Sequence, residues 1–257
     1  MSFLDALILG IIQGLTEFLP VSSSGHLVLA ETILKMKQPG ITLELLVHLG
    51  TLLSVMIYFR SQIFRLVKSL FVREMAAERR ILLLLVIGTI PAGLAGVLLK
   101  DFFESTFSNP VETSIELIIT GGILFLPRLV KAGSAGLSLP TVIWMGIGQA
   151  ISILPGISRS GSTIVAGLLA GVKPAEAAEF SFLLSIPAIA GAIILGIPDM
   201  ADVAPELIMP YALAAVVSFI FGLIAVYWVL NAVKRGKFEY FAYYCFAIGL
   251  FGLYLFL

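Results

Sequence analysis

The most constraining feature of this sequence is a set of six apolar runs, each about 20 residues long. They lie at about 41–59, 81–99, 112–130, 180–197, 209–230 and 239–257. An α-helix rises about 1.5 Å per residue, so about 20 residues cross the roughly 30 Å hydrocarbon core of a bilayer. Only 12% of the 257 residues are charged, about half the share found in a soluble domain. The sequence therefore predicts an all-α polytopic membrane protein, with residues 1–257 forming a single integral membrane domain.

Two further apolar regions, 3–34 and 140–172, are interrupted by residues that break helices. The first contains Pro20 and a serine-rich turn, and the second contains Pro155 and the sequence SRSG. Backbone groups need hydrogen-bond partners in lipid, so such breaks line a cavity or are buried in protein. We therefore predict that each region forms a re-entrant helix–loop–helix hairpin.

The two interrupted regions also resemble each other. Residues 10–25 read GIIQGLTEFLPVSSSG, and residues 146–161 read GIGQAISILPGISRSG. Adding 136 to a residue number in the first segment matches glycine to glycine, glutamine to glutamine and serine to serine at several positions. This agreement predicts an internal repeat, with one copy at about 1–130 and the other at about 131–257.

The number of spans between the copies predicts their relative orientation. Three predicted spans separate them, and an odd number of crossings makes the second copy enter from the opposite face. The result is an inverted-topology repeat whose hairpins meet near the middle of the membrane.

The charged loops predict which loops lie on the cytoplasmic face of the membrane and which lie on the outer face. Loops 60–80 and 231–238 are rich in lysine and arginine, so the positive-inside rule places them in the cytoplasm and both termini outside. Lys35 and Lys37 go against this rule. The acidic residues expected on the outer face are Asp101, Glu104, Asp199, Asp202 and Glu206. Loop 60–80 also carries apolar residues, which favours an amphipathic helix along the interface.

The two breaks carry the residues that could perform chemistry. These are Gln13, Glu17, Ser22, Ser23, Ser24 and His26, and then Ser158, Arg159, Ser160, Ser162 and Thr163. A charge in mid-membrane costs at least about 2.5 kcal/mol, so Glu17 and Arg159 need partners or water. Serines at helix starts cap the helix, and the positive end of the helix dipole favours an anion there. Together with the bidentate guanidinium of Arg159, this pattern predicts a pyrophosphate site.

Each of these residues also has a structural interpretation. The serines could act only as helix caps, Glu17 could serve only as the partner of Arg159, and His26 could be a core histidine. Glu44 and His48 lie four residues apart on one face of a predicted span, and for this pair we favour a structural role.

The motifs QGLTEFLPVSSSGHL and LPGISRSGSTI resemble the two signature motifs of bacterial undecaprenyl-pyrophosphate phosphatases. The resemblance extends over nearly the whole chain, including ELLVHLGTLL and EFSFLLSIPA. It implies a multi-pass protein of the bacterial cytoplasmic (inner) membrane that recycles a lipid carrier for cell-wall polymer synthesis. The functional residues that it implies fall on Glu17, Ser23, His26, Ser158, Arg159 and Thr163.

The resemblance also implies a divalent cation, Mg²⁺ or Ca²⁺, as cofactor. The family often has glutamate where this chain has Gln13. This departure argues against a metal site of two carboxylates and leaves Glu17 as the tentative metal ligand.

The resulting expectation is hydrolysis of undecaprenyl pyrophosphate to undecaprenyl phosphate and inorganic phosphate. Arg159 would clamp the pyrophosphate, and Ser23 would be the nucleophile with His26 as its general base or as a proton shuttle. Glu17 would hold the cation or orient His26. Attack by water or by His26 itself is the alternative. Substrate binding would also use Gln13, Ser22, Ser24, Ser158, Ser160 and Thr163.

A transporter or flippase of polyprenyl phosphate, alone or combined with phosphatase activity, is the second hypothesis, because inverted repeats with broken helices are typical of transporters. The expected partners are the polyprenyl pyrophosphate lipid and the bilayer. The balance of 16 basic and 16 acidic residues gives no reason to expect nucleic acid. The oligomeric state is left open, with a homo-oligomer as one alternative.

Overall fold

The computed structural model describes residues 1–36, 41–99, 109–131, 133–200, 203–236 and 238–257. The predicted features at Lys37, Asp101, Glu104, Asp202 and Lys237 lie outside these residues. The helices are α1 Phe3–Phe18, α2 Ser23–Ile33, α3 Ile41–Tyr58, α4 Arg60–Lys68, α5 Ala76–Leu98, α6 Pro110–Phe125, α7 Leu139–Ile151, α8 Arg159–Leu169, α9 Pro174–Gly196, α10 Pro205–Lys234 and α11 Glu239–Phe256. Short 3₁₀ turns follow α6 and α9, at Leu126–Leu129 and Ile197–Asp199. No strand forms within the described ranges, where one isolated bridge pairs Ala135 with Val172.

Six helices in the described part of the chain are long and apolar enough to cross a membrane. They are α3, α5, α6 with its 3₁₀ extension, α9, α10 and α11. All six predicted spans are therefore confirmed, although α5, α9 and α10 begin several residues earlier than predicted. A helix does not have to stop where its apolar residues stop, because polar residues can continue it into the interface.

The surface of α5 carries a row of exposed apolar side chains. Leu83, Val86, Ile90, Leu94 and Val97 recur every three or four residues and are between 50% and 65% exposed. A continuous apolar stripe of this kind is unusual on a soluble monomer, whereas lipid solvates it readily. The protein is a multi-pass membrane protein.

The amphipathic helix predicted in loop 60–80 is α4, which begins directly after α3. Leu66 is buried against the core, while Phe64 is 68% exposed beside basic side chains. Its position along the membrane interface stays a prediction.

Both interrupted regions form two helices joined by a short turn. We call α1 with α2 the first unit and α7 with α8 the second unit. In the first unit α1 ends at Phe18, because Leu19 takes the extended conformation (ψ 140°) that a following proline requires. Ser22 then has φ 69° and caps α2 by accepting a hydrogen bond from Gly25 N at 3.3 Å. In the second unit Ser158 caps α8 in the same way.

The offset of 136 found in the sequence also relates the two units in space. The bounds of α2 become those of α8 when 136 is added, and the first residue of α1 becomes that of α7. Gly10 and Gly146 are related by the same offset, and each packs on a backbone carbonyl of a long helix. A Cβ atom at Gly10 would lie 2.6 Å from Ala214 O, and one at Gly146 would lie 2.5 Å from Gly88 O. The re-entrant path, the inversion and the division near residue 130 stay predictions.

Candidate active site

The turns of the two units contact each other through three serine hydroxyl groups. Ser24 Oγ and Ser22 Oγ both donate to Pro155 O, the latter at 2.8 Å, and Ser160 Oγ donates to Leu19 O at 3.1 Å. Positions 24 and 160 differ by 136, as do positions 19 and 155, so the contacts are reciprocal. The two turns are therefore related by an approximate local two-fold axis. Residues from both units lie together at this contact.

Glu17 lies at the centre of the contact between the two turns and is 7% exposed. Its Oε1 accepts a hydrogen bond from Arg159 Nη2 at 2.6 Å. Its Oε2 accepts from Ser23 Oγ at 2.6 Å and from Gln13 Nε2 at 3.0 Å. Ser23 and Arg159 occupy equivalent positions of the two units, so each unit contributes the first residue of its second helix to the same carboxylate. We call Gln13, Glu17, Ser23 and Arg159 the buried cluster.

The buried cluster retains unused hydrogen-bonding capacity. Arg159 Nη1 and Gln13 Oε1 are buried and have no hydrogen-bond partner within the described residues. Buried polar atoms in proteins are nearly always paired, so orphaned ones indicate a place for a ligand or bound water. Half of the guanidinium fork of Arg159 is thus left for an anion such as a phosphate group.

His26 does not contact Ser23 as the sequence led us to expect. Its Nδ1 lies 2.7 Å from Ser22 O, its Nε2 lies 2.9 Å from Tyr244 OH, and its ring stacks on that of Tyr244. The ring folds back onto the carbonyl of Ser22, the N-cap of α2, and its Nε2 therefore points towards α11. The hydroxyl of Ser23 instead donates to Glu17, so neither the Ser23–His26 pair nor the orienting contact from Glu17 to His26 is present.

The remaining predicted residues mainly support the turns. Ser158 Oγ accepts from Gly161 N at 3.1 Å as the cap of α8. Thr163 Oγ1 donates to Arg159 O at 2.8 Å and also bonds to the hydroxyl of Ser181. Thr163 therefore holds α8 in place and is not directed at the buried cluster.

Helix α6 supports the second turn through two residues that the motifs did not single out. Glu116 Oε2 accepts from Gly156 N at 3.0 Å. Thr120 Oγ1 donates to Gly156 O at 2.8 Å and accepts from Ser158 N at 3.1 Å. Glu116 could have been noticed, because it is a carboxylate inside a predicted span; Thr120 and Tyr244 carried no comparable signal.

His48 on α3 lies at the same carboxylate, with its Nε2 3.7 Å from Glu17 Oε2. Its Nδ1 lies 2.7 Å from the carbonyl oxygen of Glu44, one turn earlier. That carbonyl can only accept, so Nδ1 carries a proton and Nε2 is the nitrogen directed at Glu17. The structural role that we favoured for His48 stays a prediction, although its position places it beside the buried cluster.

The residues present do not fit a metal ion held by protein ligands. Within the described residues there is no group of three or more His, Cys, Asp or Glu side chains that could hold one. Both oxygens of Glu17 already accept hydrogen bonds, three in all. Glu17 is therefore not part of a metal site built by protein ligands alone, and its assignment as a metal ligand stays a prediction.

Fold and site together define a class: a multi-pass membrane protein with a buried arginine–carboxylate–serine cluster between two interrupted helices. Comparison with known proteins makes the assignment specific. The chain belongs to the family described as "Bacitracin resistance protein BacA", whose sequence model matches residues 6–251.

Individual relatives are similar over nearly their full length. The "Undecaprenyl-diphosphatase" of Syntrophotalea carbinolica is 43% identical, with 97% of each chain covered. The protein of the same name from Carboxydothermus hydrogenoformans is 41% identical, covering 97% of this chain and 96% of the relative. "Undecaprenyl-diphosphatase 1" of Bacillus cereus is 40% identical, with 96% and 95% covered.

Proposed function

We propose that this protein hydrolyses undecaprenyl pyrophosphate to undecaprenyl phosphate and inorganic phosphate in the bacterial cytoplasmic membrane. The observation that carries the proposal is the buried cluster, in which Arg159 keeps a free guanidinium arm beside a serine hydroxyl bonded to a carboxylate. The names of the relatives support the same activity.

Pyrophosphate binding is the first step of the proposed mechanism. Phosphoryl transfer depends mostly on positioning and on neutralising charge. Arg159 Nη1 is the donor available to a phosphate oxygen, while Nη2 is held by Glu17. The starts of α2 and α8 meet at the same place, and the positive ends of their dipoles favour an anion there.

Ser23 is the proposed nucleophile, and Glu17 replaces His26 as the group that accepts its proton. At 2.6 Å from Glu17 Oε2, the hydroxyl of Ser23 is already directed at its acceptor. As Ser23 Oγ bonds to the terminal phosphorus, the bond from that phosphorus to the bridging oxygen breaks and undecaprenyl phosphate leaves. Water then hydrolyses the phosphoserine and releases inorganic phosphate. Direct attack by water is the alternative, in which no phosphoserine forms.

His26 is retained in the proposal only as a proton shuttle, separate from the deprotonation of Ser23 by Glu17. Because its Nε2 is engaged by Tyr244, the ring has to leave this tyrosine before it can transfer a proton to or from another group.

A cation requirement is also retained as a proposal, and no step above passes through the cation. Phosphate release with and without a chelator, followed by addition of Mg²⁺ or Ca²⁺, tests it. A homo-oligomer and the lack of a nucleic-acid partner stay predictions.

Purified protein in detergent, supplied with undecaprenyl pyrophosphate, tests the proposed function directly. We expect inorganic phosphate to be released by the wild type and not by Glu17→Gln. A protein that releases no phosphate but moves labelled polyprenyl phosphate between leaflets would be a transporter, a hypothesis that gains no support from the relatives' names.

A further inference from the structure

A groove of about 420 Å³ lies between α6, α7 and α8. Its walls are almost entirely apolar and include Ile123, Trp144, Ile147 and Val165. On the α7 side Trp144 is 59% exposed, so the groove opens on the lipid-facing surface. It lies between α6 and the two helices of the second unit, and none of its lining residues belongs to the buried cluster.

The groove follows one face of α8 that begins at Arg159. Ser162, Val165, Ala166 and Leu169 line it and are three or four residues apart, the spacing of residues that share a helix face. Arg159 precedes Ser162 by three residues, which is about one helical turn, and its guanidinium is directed at Glu17. A lipid lying in the groove as far as Ser162 would therefore end about one turn of α8 from the arginine.

The hydroxyl of Ser162 marks the Arg159 end of the groove. Ser162 is 7% exposed, and its Oγ has no hydrogen-bond partner within the described residues. An unpaired hydroxyl in an otherwise apolar groove suits a ligand that is polar at one end. Ser162 is thus placed for the phosphate-bearing end of such a ligand.

The first unit differs from the second at the position that corresponds to Ser162. The residue equivalent to Ser162 is His26, and its ring is stacked on Tyr244 with the ring centroids 5.5 Å apart. At this position the helix is therefore in contact with α11 in the first unit, whereas it lines the groove in the second.

We propose that the groove binds the first isoprene units of the substrate's polyprenyl tail while the pyrophosphate lies at Arg159. This inference rests on the proposed function and adds the path that the tail takes. Lipid is as apolar as the groove, so burial of the tail in it contributes little hydrophobic free energy. Packing in the groove serves instead to orient the tail and to hold the head group at the buried cluster.

Photolabelling of the wild-type protein tests the path directly. The probe is a polyprenyl pyrophosphate that carries a diazirine on its first isoprene unit. We expect it to label peptides of α7 and α8, at 144–151 and 162–170, and excess undecaprenyl pyrophosphate to prevent this labelling while excess phospholipid does not. Competition by phospholipid would make the groove an ordinary lipid contact, and labelling on α2 or α11 would put the tail beside the first unit; either result overturns the proposal.

A pair of tryptophan variants tests the consequence for catalysis. Ile147→Trp fills the groove from α7, and Leu94→Trp adds the same ring to a lipid-facing position of α5 that is 56% exposed. We expect Ile147→Trp to raise KM for undecaprenyl pyrophosphate about tenfold with kcat nearly unchanged, and Leu94→Trp to change neither. Equal KM values in the wild type and Ile147→Trp would overturn the tail path alone, whereas absence of phosphate release by the wild type would overturn the proposed function.

Discussion

The two units share a backbone design and differ in what they carry. Both consist of two helices joined by a turn that ends in a serine cap, and their second helices span equivalent residues. In the first unit position 17 is the glutamate at the centre of the buried cluster, whereas the equivalent position 153 is isoleucine. The first unit thus supplies the carboxylate and the hydroxyl, and the second supplies the guanidinium and the open groove. Two units of similar backbone thus contribute different chemical groups to a single site.

The largest expected effect concerns the relative orientation of the units and is all or none. In a Cys245→Ser background, single cysteines would replace Lys35 and Glu206, predicted to be outside, and Arg73, Ser134 and Lys234, predicted to be inside; all five are exposed. An impermeant maleimide on intact spheroplasts should label only positions 35 and 206. Labelling at 134 together with 35 would mean that both units are entered from one face, and the repeat would then be parallel.

Ser23→Ala should reduce kcat by about 10³-fold or more, because it removes the nucleophile. Phosphate release by purified protein measures this. The double variant with Glu17→Gln should be hardly worse, since residues that act as one unit are not additive. A rate near that of the wild type for Ser23→Ala would give the nucleophilic role to water. Recovery of phosphoserine at position 23 in a rapid quench would establish the covalent route.

Arg159→Lys keeps the positive charge but loses the planar guanidinium fork. In the wild type one arm of this fork bonds to Glu17, and the other is proposed to bind a phosphate oxygen. Loss of one charge-assisted hydrogen bond corresponds to about 1.5–3 kcal/mol, so we expect kcat/KM to fall roughly 10- to 150-fold. Arg128→Lys is the matched control, because Arg128 is exposed and pairs with Glu239 at the protein surface. Equal losses in the two variants would mean that Arg159 serves only the fold.

Thr163→Ala separates support from catalysis in the second unit. Its hydroxyl bonds to Arg159 O and Ser181, so its loss should lower the free energy of unfolding by about 1 kcal/mol and activity by less than tenfold. Thermal unfolding in detergent and phosphate release measure the two effects. A loss of activity as large as that of Ser23→Ala, with stability unchanged, would place the hydroxyl on the substrate.

The serine caps should give the smallest effects. Ser22→Ala and Ser158→Ala each remove the cap of one second helix, at about 1 kcal/mol each. Ser22 also donates to Pro155 O, so the loss of stability should be the larger for Ser22→Ala. Unfolding midpoints of the two variants measure the difference, and equal values would show that the contact between the turns adds nothing.

Hydropathy and helix-breaking residues were enough to predict the six spans and the position of both breaks. The partners of single side chains could not be predicted, because they depend on packing between distant segments. Tyr244 reaches His26 from 218 residues along the chain, and only the tertiary structure shows that this contact replaces the expected one with Ser23. Glu17 and Arg159 were foreseen as partners because two opposite charges inside a membrane have few other ways to be stabilised.

The backbone of Ser22 has a consequence for the order in which the protein is assembled. Its φ of 69° is one that residues other than glycine rarely adopt, at a cost on the order of 1–3 kcal/mol. The conformation is held partly by the hydrogen bond to Pro155 O, which belongs to a segment synthesised much later. When only the first half of the chain has been synthesised, the first turn lacks the hydrogen bond to the second turn, and its backbone is free to relax. The pyrophosphate site comes into existence only when the second half has been inserted, so a truncated chain is expected to be inert and not partly active.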